Sequence, residues 1–175
     1  MTRDRIREHI AANPGIHFNE LTRALDLAPG QVQYHIRKLE EMDAVVEEPL
    51  YGRTHYFSPE YDADERGALA VVRRETARDI LVTLFIHGPN APEAVAEEVG
   101  VARSTLEWHL DHLIEQGLVE KEHDKRNRVT LVLTEPESTP GLLRTVEPSL
   151  YTQLVTSVSR LFDGVFAVDP RPTDG

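Results

Sequence analysis

The most restrictive feature of this 175-residue chain is an internal repeat, with an offset of 74 positions and no gap through its helical part. Equivalent positions carry identical or similar residues: Ile6 and Ile80, Ala28 and Ala102, Tyr34 and Trp108, His35 and His109, Leu39 and Leu113, Glu41 and Glu115, and Val45 and Val119. Each copy has about sixty residues, which is near the smallest size that folds alone. The repeat therefore predicts two similar units that are stabilised by mutual packing or by dimerisation.

The first copy combines helical periodicity with a hairpin pattern. In order, the predicted elements are a helix over residues 2–12, a short helix over 19–25, an amphipathic helix over 30–42, and strands at 45–46 and 54–57. Asp26-Leu27 forms the turn between the second and third helices, and Tyr51-Gly52-Arg53 joins the two strands. Helix, turn, helix and hairpin in this order make a winged helix-turn-helix, an arrangement that reads DNA.

The predicted fold is mainly α with small β wings (α+β), made of two tandem winged helix-turn-helix domains plus a C-terminal helix. The predicted segments are domain 1 at 1–60, a linker that becomes helical at 61–75, domain 2 at 76–137, a C-terminal helical segment at 138–168 and a disordered tail at 169–175. Asn90 and Glu93 predict a capping box at the second helix of copy two. Arg73 and Arg74, at the end of the linker, are expected to pair with neighbouring carboxylates.

An apolar stripe lies in the C-terminal helical segment, outside both winged units. Its members at helical spacing are Leu150, Leu154, Val158, Leu161 and Val165, flanked by Tyr151 and Phe162. The residues predicted to form the dimer contact are Leu150, Leu154, Val158, Leu161 and Phe162. Such a stripe must be buried against something. We expect a two-fold partner, because dimeric DNA readers commonly pair their half-sites through a helix of this kind. The alternative is that the helix folds back onto copy two.

Composition limits the class of protein. The chain has 19 basic and 30 acidic residues, a net charge of −11, and no cysteine, which excludes disulfides and thiolate metal sites. An acidic, lysine-poor chain resembles proteins of salt-loving archaea, in which salt screens the attraction to phosphates and contacts depend on short-range fit. No apolar run reaches the length of a membrane span, and the start lacks the apolar core of a signal peptide. We therefore expect a cytoplasmic protein without a membrane partner.

The third helix of copy one carries the best candidates for DNA contact. Val32, Ile36 and Leu39 share one apolar face, and the residues around the opposite side are polar. Those predicted to contact DNA are Gln31, Gln33, Tyr34, Arg37 and Lys38, and Arg53 at the tip of the first hairpin is a predicted phosphate contact. The alternative is an ordinary solvated helix face and an ordinary exposed turn.

Copy two differs in the charge of its third helix. The outward side carries Glu107, Asp111 and Glu115, which phosphates would repel, and Trp108, which is costly to expose without a cover. A protein partner on the Trp108 face is therefore the alternative to DNA there. The second hairpin holds the densest basic cluster of the chain, and its predicted phosphate contacts are Lys125, Arg126 and Arg128.

The histidines raise the question of a metal site. His109 and His112 are three residues apart on one helix and could share an ion. However, His35 and His109 occupy the same repeat position, which favours a structural role at the edge of the core. We predict no metal and no cofactor. We also predict no enzymatic activity, because the sequence shows no catalytic spacing and no glycine-rich phosphate loop.

The run Leu27 to Leu39, which continues as Glu41 to Val45, resembles the recognition helix and exit of ArsR- and MarR-type winged-helix regulators, and Val101 to Val119 resembles it more closely still. The whole chain is similar to tandem winged-helix regulators of halophilic archaea. The resemblance implies a sequence-specific transcription regulator that binds double-stranded DNA with the third helix in the major groove, and the C-terminal stripe predicts that it does so as a homodimer. For copy two it adds Arg103, Ser104 and Thr105 as DNA contacts. The alternative function is an acidic adaptor that binds proteins of the transcription or chromosome-organising machinery.

Overall fold

The computed structural model describes residues 1–166, with the side chains at 161, 162 and 164–166 excepted. The helices are α1 (Thr2–Ala12), α2 (Phe18–Leu25), α3 (Pro29–Glu41), α4 (Ala63–Val72), α5 (Glu75–His87), α6 (Pro92–Val99), α7 (Arg103–Glu115), α8 (Thr139–Val146) and α9 (Pro148–Phe166). The strands are β1 (Ile16–His17), β2 (Val46–Leu50), β3 (Arg53–Phe57), β4 (Val119–His123) and β5 (Val129–Leu133). None of the helices described has the combination of length and apolar character that crossing a membrane requires.

Domain 1 has the predicted architecture. Helices α1, α2 and α3 enclose an apolar core around Ile6, Ile10 and the inward face of α3, and the antiparallel hairpin β2–β3 closes it. A third strand, β1, pairs with β3 through Ile16 and Tyr56, so that the sheet order is β1-β3-β2. The predicted fold class, mainly helical with two small antiparallel sheets, is confirmed.

Domain 2 repeats this arrangement and extends it with the C-terminal helices. Helices α5, α6 and α7 and the hairpin β4–β5 surround a core to which α8 contributes Leu143 and α9 contributes Leu154. Leu154 is therefore buried within its own chain, as the fold-back alternative requires. By contrast, Val155 on the same helix is 50% exposed. Dimerisation through α9 stays a prediction, and the side chains of Leu161 and Phe162 and the tail at 169–175 lie outside the described residues.

The segment predicted as a linker is mostly α4, which a capping box starts. The Asp62 side chain accepts from the backbone N–H of Glu65, and the Glu65 carboxylate accepts from the backbone N–H of Asp62. At its end, the side chain of Arg73 is 8% exposed, donates to the carbonyl of Pro14 at 2.9 Å and pairs with Glu20 at 3.5 Å. The connector thus ties its arginine into domain 1 while its apolar residues Val71 and Val72 pack into the core of domain 2.

His55, in the centre of β3, is buried next to the connector. Its Nδ1 lies 2.7 Å from the carbonyl oxygen of Gly15 and must donate to it, and its Nε2 is buried without a hydrogen-bond partner among the described residues. Burial lowers the pKa of His55 below its ordinary value of 6.5, and the nearby cationic groups His17, Arg74 and Arg73 lower it further. The hydrogen bond to Gly15 opposes this shift only in part.

This lowered pKa predicts that acid weakens the fold. The unfolded chain takes up a proton at His55 near pH 6.5 while the folded chain resists it, so stability present above pH 6.5 is lost as the pH falls. We expect the free energy of unfolding in urea to be lower at pH 5.5 than at pH 7.5. Burial also lowers the pKa values of His9, His17 and His109, so they share in this dependence.

His55→Asn keeps a donor near the position of Nδ1 and removes the titration. It should therefore reduce the difference between the two pH values without abolishing it. His123→Asn, at an exposed position on the second hairpin, controls for the substitution itself. An unchanged pH dependence in His55→Asn would contradict the assignment.

Candidate nucleic-acid interface

The outward face of α3 is open to solvent. Gln31, Gln33, Tyr34 and Arg37 are all exposed, and Tyr34 retains 54% of its surface. Their backbone is held rigidly, because Val32, Ile36 and Leu39 on the opposite face are at most 2% exposed. Helix α3 therefore presents a fixed ridge of amide, phenol and guanidinium groups, which can hydrogen-bond base edges.

The start of α3 is set by its local sequence. Asp26 ends α2 in the left-handed conformation with φ of 52°, and Pro29 then occupies the first turn of α3, where its missing N–H costs nothing. Ala28 caps the helix without a side-chain hydrogen bond. The N–H groups of Gln31 and Val32 donate to the carbonyl of Ala28, so backbone hydrogen bonds close the first turn of α3.

A groove of about 420 Å³ separates α3 from the first hairpin. Gln33 and Arg37 line it from the helix, and Thr54 lines it from β3. Glu40 and Glu47 also line this groove, and the pKa of Glu40 is raised by burial and by the nearby charge of Glu47. The groove therefore combines hydrogen-bonding groups suited to bases with an acidic end that phosphates would avoid.

Lys38 and Arg53, the other two predicted DNA contacts of domain 1, differ in how freely they can bind a phosphate. Lys38 is half-buried, and its Nζ lies 2.8 Å from the carboxylate of Glu41, so its charge is already paired. Arg53 is exposed at the tip of the first hairpin. Of the two, Arg53 is the better placed to contact a phosphate.

The tip of the first hairpin is a two-residue turn in which both central residues are left-handed, with φ of 52° at Tyr51 and 77° at Gly52. This geometry belongs to the type I′ turn, in which asparagine or glycine is usual at the first position. A tyrosine there is uncommon and persists only if surrounding contacts hold it. The side chain of Tyr51 indeed packs against domain 2.

We call the contacts of Tyr51 with domain 2 the wing clasp, formed by Tyr51, Arg74, Trp108, His112 and Gln116. The ring of Tyr51 lies 4.3 Å from that of His112, and its hydroxyl accepts a hydrogen bond from the amide of Gln116. Arg74 donates to the carbonyl of Tyr51, and its guanidinium lies 4.9 Å from the centre of the Trp108 ring. Arg74 thus stacks on an aromatic ring, and the expectation that it pairs with a carboxylate was wrong.

The wing clasp makes the two copies unequal. Trp108 and Tyr34 occupy the same repeat position, but the hairpin of domain 1 and Arg74 cover part of the outward face of α7 around Trp108. On α3, the only aromatic neighbour of Tyr34 among the described residues is His35. One of the two third helices is therefore free on its outward side, and the other is partly occupied by its own chain.

The charges near α7 also make its outward face less suited to DNA than that of α3. Arg103 donates to the carboxylates of Glu93 and Glu107, and Lys121 binds Glu107 at 2.8 Å. These ion pairs neutralise the cations nearest to the start of α7. Ser104 and Thr105 are exposed there, but the rest of the outward face remains acidic.

The second hairpin carries its basic residues in the open. Lys125, Arg126 and Arg128 are all exposed around a turn in which Asn127 has φ of 59°. Asp124 shapes this turn by accepting from the backbone N–H groups of Arg126 and Arg128, and it pairs with the guanidinium of Arg128 at 2.7 Å. Lys125 and Arg126 form no ion pair within the described residues, so they are the better candidates for binding phosphates.

The histidines at the edge of the core do not form a metal site with other side chains of the described residues. His35 and His109 are half-buried at equivalent positions, and the Nδ1 atom of each is buried without a partner among the described residues. His112 contacts Trp108 and Tyr51. Within residues 1–166, no group of three histidine or carboxylate side chains is placed to hold a metal ion.

Comparisons with known proteins point to the same kind of domain. Residues 1–69 match the family model HTH_HVO_0163_N, described as an N-terminal HTH domain. Over 134 residues the chain is 25% identical to an uncharacterized HTH-type transcriptional regulator of Methanocaldococcus jannaschii. That match covers 77% of this chain and 34% of the relative, so the chain spans about a third of the relative's length.

Two solved structures of regulators are also similar. A MarR family regulator from Neisseria meningitidis is 21% identical, with 54% of this chain and 72% of that chain covered and a TM-score of 0.37. Disulfide-formed AbfR is 11% identical, with 78% of this chain and 88% of that chain covered and a TM-score of 0.40. The resemblance to winged-helix transcriptional regulators predicted from the sequence is confirmed, and residues 1–69 are similar to an N-terminal HTH domain.

Proposed function

We propose that the chain is a sequence-specific, DNA-binding transcription regulator. In this proposal, α3 enters the major groove and the two hairpins contact the phosphate backbone. One observation carries it: the polar outward face of α3 is open, while the wing clasp and an acidic surface occupy the equivalent face of α7. The chain therefore reads DNA with domain 1, and domain 2 supports it.

The chemistry of α3 suits direct readout of bases. Gln33 can hydrogen-bond both the acceptor and the donor of an adenine, and Arg37 can do so with the two acceptors of a guanine. Tyr34 adds an apolar ring that can pack on a thymine methyl group. Because the helix backbone is fixed by its buried face, binding would cost little backbone conformational entropy, although the exposed side chains would still have to be ordered.

A single reading helix recognises only a short stretch of duplex. A homodimer would place two such helices on one site and read a palindrome, which is the common solution for helix-turn-helix proteins. Within the described part of α9, Leu150 and Val158 are half-buried and Val155 is half-exposed, which leaves apolar surface for a second copy.

The acidic composition limits the salt concentrations at which the chain can bind DNA. A net charge of −11 opposes long-range attraction to DNA in dilute salt. In concentrated salt that repulsion is screened together with the attraction, and short-range hydrogen bonds carry more of the affinity. We therefore propose that the protein acts in the salt-rich cytoplasm of a halophile.

The alternative function is a protein-binding adaptor. It is favoured by Trp108, which stays 43% exposed despite Arg74, and by the acidic side chains that surround it on α7. Crosslinking of the tagged protein to DNA across the genome separates the two functions. Sharp peaks that share a palindromic sequence are expected for the regulator, whereas broad or absent signal would reject it in favour of the adaptor.

The second hairpin supplies a test of phosphate contact with an internal control. Replacing Lys125 and Arg126 by alanine should weaken binding about equally for the target and for a scrambled duplex. It should also lower the slope of log affinity against log salt by about two, one for each lost phosphate contact. Arg128→Ala should have a smaller effect, because Asp124 already pairs with that guanidinium. Fluorescence anisotropy over a salt series measures both quantities, and an unchanged slope in the double variant would exclude the second hairpin from the interface.

A further inference from the structure

A second groove, of about 550 Å³, lies between α4, α8 and the segment that follows α7. We call it the connector groove. Its floor and walls include the apolar side chains of Ala68, Leu69, Leu118 and Leu142. This volume is in the range of sites that bind small molecules.

The charged side chains that line the connector groove are all negative. Asp64, Glu65 and Glu135 line it, and neither lysine nor arginine does. None of these three carboxylates forms an ion pair within the described residues, and Arg66, the nearest arginine on α4, is directed to Glu48 and the carbonyl of Tyr61. The groove therefore carries negative charge that no basic side chain of the described residues pairs with, above an apolar floor, while Glu65 accepts from the backbone N–H of Asp62 and Glu135 accepts from Ser138.

Tyr61 adds an aromatic wall beside these carboxylates. Burial raises the pKa of Tyr61, and the negative charges of Glu60 and Glu65 raise it further. The face of an aromatic ring together with carboxylates is the usual environment for an alkylated ammonium group. Apolar surface alone would suit many occupants, but this combination selects for positive charge.

We propose that the connector groove binds a small organic cation with an apolar body. The ammonium group would lie between Tyr61 and the carboxylates of Asp64 and Glu65. The apolar part would rest on Leu69, Leu118 and Leu142. The site is separate from the proposed DNA interface, and its test requires no DNA, so either proposal can fail without the other.

The test uses decyltrimethylammonium as the probe, with decanol and decyl sulfate as neutral and anionic molecules of the same chain length. Isothermal titration calorimetry on the full chain, below the critical micelle concentration of the two ionic probes and the solubility limit of decanol, should show the cation binding at one site and more tightly than either control. Ala68→Trp should abolish binding by filling the groove. Absence of binding by the cation, or equal binding of all three probes, would overturn the proposal.

A charge-neutral variant tests the polar part without disturbing the fold. Asp64→Asn combined with Glu65→Gln keeps the hydrogen bonds of the α4 capping box, because glutamine can accept at that position. It should weaken the cation about fivefold, the scale of one or two exposed ion pairs, and leave decanol unchanged. Glu97→Gln combined with Glu98→Gln removes the same charge from α6 and should leave both probes unchanged. An equal loss in this control would mean that the cation only responds to the net charge of the protein, and would reject the site.

Discussion

Replacing Arg37 by alanine is expected to weaken binding to the target DNA by about 1–3 kcal/mol, roughly 5- to 150-fold in Kd. Arg37 is exposed on α3 and lines the groove that faces the first hairpin, so its guanidinium can reach a base edge. The loss should be specific. Affinity for the target should fall towards that for a scrambled duplex, because a base contact distinguishes sequences and a phosphate contact does not. Gel-shift titrations with both duplexes at high potassium measure this difference.

Arg160→Ala is the matched control for this variant. Arg160 is also exposed, and its replacement by alanine removes the same charge. However, Arg160 lies on α9, outside both winged units. It should leave both affinities nearly unchanged. Equal losses in the two variants, or no loss in either, would remove α3 from the interface and with it the proposed mode of reading.

Breaking the wing clasp should weaken DNA binding through Arg53, by about 1–2 kcal/mol. Tyr51→Asn is the appropriate change because Asn-Gly is the preferred pair for a type I′ turn, so the hairpin keeps its turn while it loses the ring contact with His112. The freed hairpin would hold Arg53 against the phosphates for a smaller fraction of the time. Arg53→Ala should cause a loss of similar size by removing the contact itself.

A double-mutant cycle decides whether the clasp acts by positioning Arg53. If it does, Tyr51→Asn combined with Arg53→Ala should cost little more than either change alone, giving a coupling energy above about 0.5 kcal/mol. Footprinting should then show lost protection only where the hairpin lies. Additive losses would mean that Tyr51 affects binding independently, and unchanged binding in Tyr51→Asn would mean that the clasp serves stability alone.

The sequence predicted the helices well because their signals are local. The first strand of the domain 1 hairpin was predicted too short, at 45–46, whereas β2 extends over Val46–Leu50. The buried residues of α3 and α7 follow helical periodicity, and in both hairpins the strands flank turn-forming residues. The strand β1 was not predicted, because a strand of two residues is too short to show an alternation of apolar and polar side chains. Helix α9 continues through Gly164 to Phe166, since one glycine within a helix costs only about 1 kcal/mol.

The predicted capping box at Asn90 was wrong for a tertiary reason. Ala91 caps α6, and Asn90 instead pairs through its backbone with Leu131 of β5, with hydrogen bonds of 3.1 and 2.8 Å. Pairing with a distant strand fixes the backbone of Asn90 and takes precedence over the local preference of its side chain. The expectation about Glu93 failed with it, because Glu93 instead binds Arg103.

The candidate site was predictable only in part. Periodicity indicated which residues of α3 point outward, and the need to cover Trp108 followed from its size. That the cover would be Arg74, and that Tyr51 would pack beside it, depends on contacts between residues far apart in the chain. No local pattern reports such contacts. The assignment of Gln31, Gln33, Tyr34, Arg37, Arg53 and the second hairpin to DNA remains a prediction.

The connector has a consequence for how the molecule comes apart. Arg73 is anchored on Pro14 and Glu20 of domain 1, while Tyr51 belongs to the apolar cluster of domain 2. Neither domain can unfold without the loss of contacts that stabilise the other. Heating should therefore produce one calorimetric transition instead of two, and a fragment cut off at residue 69 should be less stable than the same residues within the whole chain.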